Sequence, residues 1–514
     1  MKLTVSDLNT RDFAATEELR RRMTGCWMGK AVGGTLGQTF EGQEGPLDAT
    51  FYTPVPTEME ANDDLDLQVL WAVLMDQLDE VRVDRRVMES GWLRHVEFPW
   101  NEYGVGIRNL RDGLAAPESG SHDNWFTCGE GAAIRTEIWA CLAAGDPALA
   151  AQYAYEDACV DHAGDGVNAA LFLASVQAAA FVEADPHRLL DIGLAAVPAD
   201  SRLAAAVIDT RAWVGEGLAW PEVRARIIER YGAVDFTDVR QNTAFVVLGW
   251  LAGRDFSERI LICNNCGKDT DSSTASLGSI LGILDPDSIG DEWLAPIGRN
   301  LVLNPEIKGI TPPATLDDFT ELVLSLRTRL AGRPAQPGEA ESKKPPVISA
   351  RVSFTDQYRH RTRIGTRFMP GPDDPEPALD GTEKVVVLDG TWHRMRREDF
   401  RGDVLILRYD IMLERDQFVR VVFNTTEQCW VSIDGVFAFG RETGAYGEPA
   451  AMFPALHGPP LNQYADRHLI AGRHALTALV RRPVVERDAE WVVAVADQKS
   501  GMWVNGAIVP SAGN

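Results

Sequence analysis

Residues 264–284 read NNCGKDTDSSTASLGSILGIL, and this stretch decides how the chain is interpreted. Its second half carries small and apolar residues at helical spacing, which predicts a packed helix. Its first half places Asp269, Asp271 and Ser272 where that helix should begin. Helix capping readily explains one such residue, because Asp and Ser are favoured at this position. Capping does not readily explain several oxygen-bearing side chains together.

A second segment, EANDDLDLQVLWAVLM (60–75), has the same design. It sets Asn62, Asp63 and Asp64 at the start of a predicted helix. For either segment alone capping is the simpler interpretation, but both together favour a metal site. Carboxylate, amide and hydroxyl oxygens are hard ligands that suit Mg²⁺, Mn²⁺ or Ca²⁺.

A third segment, GCWMGKAVGGTLGQTFEGQEG (25–45), begins as an apolar helix and becomes rich in glycine before Glu41. One interpretation is a helix that crosses another helix at close range. The other is a helix that brings a carboxylate to a site where a ligand needs space near the backbone.

The chain divides in composition near residue 340. Before it, apolar residues at helical spacing predict helices over 66–81, 132–145, 146–160, 167–184 and 242–253. After it, β-branched and aromatic runs broken by Gly, Asp and Asn predict strands. We therefore predict an all-α catalytic domain over 1–330, a linker over 331–346 and a β-sandwich accessory domain, jelly-roll-like, over 347–514.

The net charge of −25 lies almost wholly in the first domain, which argues against nucleic-acid binding. The sequence has no apolar run long enough to span a bilayer, and its start lacks the pattern of a signal peptide. Seven scattered cysteines argue against a disulfide scaffold, and Cys263-x-x-Cys266 has no partner pair at zinc-site spacing. We expect a cytoplasmic protein without a membrane or nucleic-acid partner.

Taken in order, the three segments resemble the ADP-ribosylglycohydrolase family, the enzymes similar to dinitrogenase reductase-activating glycohydrolase. A fourth segment over 129–174, with Gly129-Glu130-Gly131-Ala-Ala-x-Arg135 and a later turn containing His162, is similar to that family too. The resemblance covers roughly residues 21–312. It implies an all-α domain that binds two Mg²⁺ ions, which Mn²⁺ could replace. It also implies that this domain hydrolyses a bond to C1″ of ADP-ribose.

By position, the resemblance implies that Asn62, Asp63 and Asp64 hold one set of metal contacts. Asp269, Asp271 and Ser272 would hold the other. Glu41 would lie near the ribose, and either Glu41 or Asp63 would be the catalytic base.

Further positions suggest contacts to substrate. Gly129, Gly131, His162 and Lys268 are candidate substrate-binding residues, although a lone histidine is often structural. Arg135 is interpreted as an ion-pair anchor. The chain departs from the family pattern at Leu65, Lys268 and Glu130, where Thr, Gly and Asn are usual.

Three functions remain open on these residues. The first is a hydrolase of an ADP-ribose-like small molecule or ADP-ribosylated protein. The second is an N-riboside hydrolase acting on a smaller nucleoside or natural product. The third is a non-catalytic ADP-ribose or nucleotide sensor. The C-terminal sandwich could bind ligand, cover the site or form a homo-oligomer.

Overall fold

A computed structural model describes most of the chain. The described residues are 17–97, 100–124, 126–233, 235–338, 342–344, 347–356, 360–362, 365–367, 370, 383–425, 427–441, 464–483, 488–499, 504 and 506–510. Residues 1–16 of the predicted first domain lie outside them, as do 339–341 and 345–346 of the predicted linker.

Up to residue 330 the described chain is helical. Its α-helices are α1 (Glu17–Gln38), α2 (Asp63–Asp76), α3 (Arg85–His95), α4 (Asn101–Arg111), α5 (Glu118–Ser121), α6 (Glu137–Leu142), α7 (Pro147–Ala158), α8 (Asp165–Ala180), α9 (Pro186–Ala195), α10 (Arg202–Gly215), α11 (Trp220–Tyr231), α12 (Val239–Ala252), α13 (Phe256–Asn265), α14 (Thr270–Leu284), α15 (Asp291–Ile297) and α16 (Leu316–Leu330). Short 3-10 helices lie at Ala133–Arg135, Pro286–Ser288 and Arg397–Asp399. Within the described residues, no helix combines the length and apolarity needed to cross a bilayer.

One predicted helix is divided. The pattern over 132–145 predicted a continuous helix, but the chain forms the 3-10 turn Ala133–Arg135 and then α6. The hydroxyl of Thr136 donates to the carbonyl of Ala133 at 3.0 Å, and this local bond competes with regular α-helical pairing. The break allows Glu137 to begin a new helix.

The last part of the described chain is built from antiparallel strands. They are β1 (Val347–Thr355), β2 (His360–Thr362), β3 (Gly365–Arg367), β4 (Lys384–Asp389), β5 (Trp392–Met395), β6 (Val404–Leu413), β7 (Gln417–Thr425), β8 (Cys429–Ile433), β9 (Val436–Arg441), β10 (Tyr464–Leu469), β11 (Gly472–Arg481), β12 (Ala489–Asp497) and β13 (Ile508–Val509). One sheet has the order β4-β1-β6-β11-β8-β9, with β13 beside β6, and a second has the order β10-β7-β12-β5. Strands β2 and β3 form a separate pair.

The two large sheets pack through their apolar faces. Leu405, Leu407 and Ile411 of β6 share one buried cluster with Val421 of β7 and Val493 of β12. Such alternation of buried residues on facing strands defines a β-sandwich. The predicted fold class, an all-α domain followed by a β-sandwich, is confirmed.

The chain forms two compact units. One comprises residues 1–98, 109–111 and 115–342, and the other comprises 99–108, 112–114 and 343–514. The second unit therefore includes a short helical stretch that the sequence assigned to the first domain. The exact domain boundaries stay a prediction.

Within the helical unit, α1 and α14 run antiparallel and touch through their backbones. A Cβ atom built on Gly29 would lie 2.0 Å from the carbonyl oxygen of Gly278, and one on Gly278 would lie 2.1 Å from that of Gly29. The pair Gly25 and Gly282 has the same relation, at 2.3 and 2.0 Å. Any larger residue at these positions would force the helices apart. The helix-crossing interpretation of the glycine-rich segment is therefore correct.

The same contact reaches the end of α1 and the start of α14. A Cβ atom on Gly37 would lie 2.3 Å from the Cα atom of Asp271. The hydroxyl of Thr270 donates to the carbonyl of Gly37 at 2.8 Å. The first turn of α14, with its acidic side chain, is thus held directly against α1.

We predict that Gly29→Ala destabilises the protein severely, by about 3 kcal/mol or more, because the new methyl group meets the backbone of Gly278. Urea unfolding followed by circular dichroism measures this. The matched control is Gly215→Ala at the end of α10, where a Cβ would meet nothing within 4 Å. There we expect unchanged or slightly higher stability, by up to about 1 kcal/mol. Equal effects at both positions would contradict the prediction.

Candidate active site

The starts of α2 and α14 lie against each other. The side-chain amide of Asn62, just before α2, donates to the Oδ2 atom of Asp271 in α14 at 3.2 Å. The Oδ1 atom of Asn62 accepts a hydrogen bond from the backbone of Asp64 at 2.7 Å. Asn62 is thus the N-cap of α2 and also a clamp between the two acidic segments.

Capping does not account for the other acidic segment. Asp269 occupies the N-cap position of α14, but its side chain makes no capping hydrogen bond. It is 4% exposed, and its electrostatic neighbours are the carboxylates of Glu130, Asp271 and Glu41. Ser272 follows on the first turn of the helix and is buried as well. The carboxylate of Asp269 therefore has a role other than capping.

A turn after α1 carries Glu41 to the same place. The backbone N–H of Gly42 donates to the carbonyl of Lys268 at 2.9 Å, and that of Lys268 donates to the carbonyl of Gln43 at 2.7 Å. These two bonds fix the Glu41 turn against the residue that precedes Asp269. Glu41 keeps access to solvent, although nearby protein atoms partly desolvate its carboxylate.

The carboxylates repel one another. Burial and repulsion by Asp271, Asp63 and Asp64 raise the pKa of Glu41 to about 8. Burial raises the pKa of Asp64 to about 7, even though Lys30 opposes the shift. Burial also raises the pKa of Asp269 and that of Asp271. The structure thus brings together the acidic residues from all three segments.

Lys30, a residue that the sequence analysis did not identify as functional, holds Asp64 in place. It lies in the middle of α1, is 1% exposed, and donates to the Oδ1 atom of Asp64 at 3.0 Å and to Glu137 at 3.2 Å. Burial opposes the charge of Lys30, but the two carboxylates overcome this and raise its pKa. The Oδ2 atom of Asp64 is buried and has no hydrogen-bond partner.

Glu137 is the centre of a buried polar network. Its Oε1 atom accepts from Lys30 at 3.2 Å, from Gln177 at 2.9 Å and from Ser279 at 2.9 Å. Its Oε2 atom accepts from Gln68 at 2.9 Å. These residues belong to α1, α8, α14 and α2. The network therefore joins the helices beneath the acidic residues, and its signal in the sequence is a charged, amide or hydroxyl residue inside each apolar helix.

Glu130, between Gly129 and Gly131, is a second residue that the sequence motifs did not identify as functional. It is 2% exposed, and neither carboxylate oxygen has a hydrogen-bond partner. Burial, followed by repulsion from Asp64 and Asp271, raises its pKa well above the usual range. We call Glu41, Asp63, Asp64, Glu130, Asp269 and Asp271 the acidic cluster.

The remaining predicted substrate contacts are engaged within the protein. The Nε2 atom of His162 accepts from the backbone of Ala132 at 3.3 Å, and its Nδ1 atom lies 2.9 Å from Asp161. The carbonyl of Gly131 accepts from Arg135 at 2.7 Å. These bonds stabilise the loop that carries Glu130, and the substrate roles of Gly129, Gly131 and His162 stay predictions.

Two other sequence interpretations have structural answers. Arg135 pairs with Asp157 at 3.0 Å and with Asp161 at 2.6 Å, which confirms it as an ion-pair anchor. The ammonium of Lys268 pairs with Glu44 and lies 3.5 Å from the carbonyl of Ala233. Its role in binding substrate stays a prediction.

The described residues contain no group of three His, Cys, Asp or Glu side chains already converged at metal-ligand spacing. The acidic cluster nevertheless suits a cation. One oxygen each of Asp64 and Asp271, and both oxygens of Glu130, are buried without a hydrogen-bond partner. Buried carboxylate oxygens without partners are costly in free energy, and a hard divalent cation would satisfy them.

The two thiols of the Cys263-x-x-Cys266 motif are free and buried.

A comparison with known protein families matches the helical part of the chain. The sequence profile of the ADP-ribosylglycohydrolase family matches residues 15–330. A solved structure described as an ADP-ribosylglycohydrolase-related protein complex is 20% identical, with a TM-score of 0.43, over 61% of this chain and 99% of that chain. No curated protein matches the chain.

Two further solved structures have weaker similarity. The PA14 domain of the MpAFP antifreeze protein is 9% identical, with a TM-score of 0.20, over 34% of this chain and 98% of that chain. A β-glucosidase from Kluyveromyces marxianus is 9% identical, with a TM-score of 0.19, over 32% of this chain and 18% of that chain. Scores this low carry no inference about function.

We predict that Lys30→Met lowers the free energy of unfolding by about 3–5 kcal/mol in EDTA, because it leaves the Oδ1 atom of Asp64 buried and unpaired. Thermal and urea unfolding measure this. Lys308→Met is the control. Lys308 is half-exposed, and its ion pair with Glu97 is long, at 3.9 Å. That change should cost less than about 1 kcal/mol. A small effect of Lys30→Met would contradict the role of Lys30 as the fixed counter-ion of Asp64.

We also predict that the cation-free protein loses stability as pH rises. The folded-state pKa values of about 8 for Glu41 and about 7 for Asp64 exceed the unfolded values of about 4. The folded state therefore binds more protons, and this stabilisation is complete below about pH 4 and lost as pH rises toward about 8. Melting temperatures in EDTA between about pH 5 and about pH 8.5 measure it. Glu41→Gln should reduce the slope, and a melting temperature independent of pH would contradict the prediction.

Proposed function

The chain belongs to the ADP-ribosylglycohydrolase family, and on this basis we propose that it is a Mg²⁺-dependent hydrolase of the ribosyl glycosidic bond in an ADP-ribose-like substrate. One observation carries the proposal. Acidic side chains from the start of α2, the start of α14 and the turn after α1 meet around carboxylate oxygens that lack hydrogen-bond partners. By contrast, both carboxylate oxygens of the buried Glu137 accept hydrogen bonds from neighbouring side chains.

Asp63, Asp64, Asp269 and Asp271 would hold the cation, and Ser272 would contribute a neutral oxygen. Asn62 uses its amide to clamp Asp271 and its carbonyl oxygen to cap α2, so only the second lone pair of that oxygen is left for a cation. A bound Mg²⁺ would orient ribose hydroxyls and water as a Lewis acid.

The reaction joins a water oxygen to C1″ of the ribose and breaks the bond from C1″ to the leaving nitrogen or oxygen. The bonding electron pair goes to the leaving group, and one proton of the water must be removed. The exposed Glu41 and the half-buried Asp63 are accessible for this step, whereas Asp64, Asp269 and Asp271 are buried. Glu41 or Asp63 then returns the proton to the leaving group.

The acidic cluster would also favour the transition state. Cleavage of a ribosyl bond builds positive charge on the ring, as in other glycoside hydrolysis. Carboxylates fixed by the backbone of α14 and by Lys30 require little reorganisation to oppose that charge. The packing between α1 and α14 thus supports the proposed chemistry as well as the fold.

We expect wild-type protein with Mg²⁺ to release ADP-ribose from at least one of ADP-ribosyl-arginine, ADP-ribosyl-serine and O-acetyl-ADP-ribose, as measured by mass spectrometry. The panel also contains NAD and simple nucleosides. The double variant Asp269→Ala, Asp271→Ala should lose at least about 100-fold in rate, since changes one shell further from a metal already cost about 10–100-fold. EDTA should have a similar effect.

The control variant is Asp287→Ala, which removes an exposed acid paired only with Arg21 near the far end of α14 and should keep the wild-type rate. Turnover that survives in the double variant would contradict the proposed site. Release of free ribose from nucleosides alone would establish the smaller-substrate ribosidase instead. Ligand-induced stabilisation without any product would favour the sensor.

A further inference from the structure

The loop before the 3-10 helix holds Glu130 rigidly. The carbonyl of Glu130 accepts from the backbone of Ala133 at 2.8 Å and from that of Ile134 at 3.1 Å. Just before Glu130, the backbone N–H of Gly129 donates to the carbonyl of Phe126 at 2.8 Å. The side chain is 2% exposed, so it cannot turn into solvent without moving this loop. Its carboxylate is therefore fixed inside the protein.

The carboxylate of Glu130 has no partner within the described structure. Both oxygens are shielded from solvent and accept no hydrogen bond. Its strongest electrostatic neighbours are the acids Asp64 and Asp271, followed by Lys30. Lys30 already donates to Asp64 and Glu137. Protonation alone would not satisfy the group, because the added O–H would also need an acceptor.

Glu137 provides an internal comparison. It lies seven positions further along the chain, is equally buried, and accepts hydrogen bonds from Lys30, Gln68, Gln177 and Ser279. This fold therefore supplies donors to a glutamate whose role is structural. At Glu130 it supplies none and places two further carboxylates nearby. That difference indicates that the partner of Glu130 is a ligand.

We propose that Glu130 is a further ligand of the divalent cation held by Asp63, Asp64, Asp269 and Asp271, so that the loop at 129–131 contributes to the metal site together with α2 and α14. This inference rests on the cation site in the proposed function. Glutamate oxygens are hard donors, and another charged ligand raises affinity for a divalent cation. Glutamate at this position thus makes the site more dependent on a cation than an uncharged amide would.

Glu130→Gln tests the inference, because it keeps the size of the side chain and removes its charge. Calorimetric titration with Mn²⁺ should give an affinity at least about 10-fold weaker than that of wild type. Fluorimetric melting should give a smaller gain in melting temperature on adding Mg²⁺. In EDTA the variant should melt close to the wild-type temperature, because the amide has nearly the size and shape of the carboxyl group.

The matched control is Glu156→Gln. Glu156 is also a buried glutamate, but Arg85 pairs with both of its oxygens, at 2.7 and 2.9 Å. Its variant should melt at a lower temperature with and without cation and keep the wild-type Mn²⁺ affinity. If Glu130→Gln does not fold, Glu130→Asp retains the charge on a shorter arm and should bind Mn²⁺ measurably more weakly than wild type.

The outcomes separate this inference from the proposed function. Unchanged Mn²⁺ affinity in Glu130→Gln, with normal binding and hydrolysis by wild type, would overturn the role of Glu130 alone. Absence of Mn²⁺ binding by wild type would overturn the cation site and this inference together. Weaker binding in Glu130→Gln, with complete loss in Asp269→Ala, Asp271→Ala, would support both.

Discussion

The backbone contact between α1 and α14 is the constraint on which the site depends. Glycines on both helices let the main chains touch over several turns, and the contact ends where Gly37 meets Asp271. Two consequences follow at that end. The first turn of α14 is held against α1, and the turn that leaves α1 is tied by backbone hydrogen bonds to the residue before Asp269. The positions of Glu41, Asp269 and Asp271 are thus set by main-chain geometry.

A buried ion pair and its network offset part of the charge that this geometry concentrates. Lys30 projects from α1 between Asp64 and Glu137, and Glu137 in turn accepts bonds from α2, α8 and α14. The network fixes one oxygen of Asp64 and leaves the other without a partner. It neutralises some of the acidic cluster, but Glu130 and Asp271 remain unsatisfied. The positions of these side chains are therefore fixed, but part of their negative charge has no counter-ion within the described residues.

Much of this could be predicted from local patterns. Acids at two helix starts and a glycine-rich helix before Glu41 predicted a common site, because each signal lies within a few consecutive residues. The resemblance to a family supplied the order of those signals. The role of Lys30 could not be predicted, since its partners lie 34 and 107 positions away in the sequence. The clamp from Asn62 to Asp271 and the pairing of Lys268 with Glu44 likewise depend on tertiary contacts.

Two helices that touch through their main chains tolerate substitutions differently from an ordinary protein core. Most protein cores tolerate exchange among apolar side chains of similar volume, because neighbours can repack around the change. Between α1 and α14 at Gly29 and Gly278 there is no side chain to exchange and no smaller residue to substitute. Substitution is therefore excluded at the glycines where the two helices touch, but it is possible at the surrounding positions. A chain with this architecture can acquire new chemistry by replacing the side chains around the site while their anchoring points stay fixed.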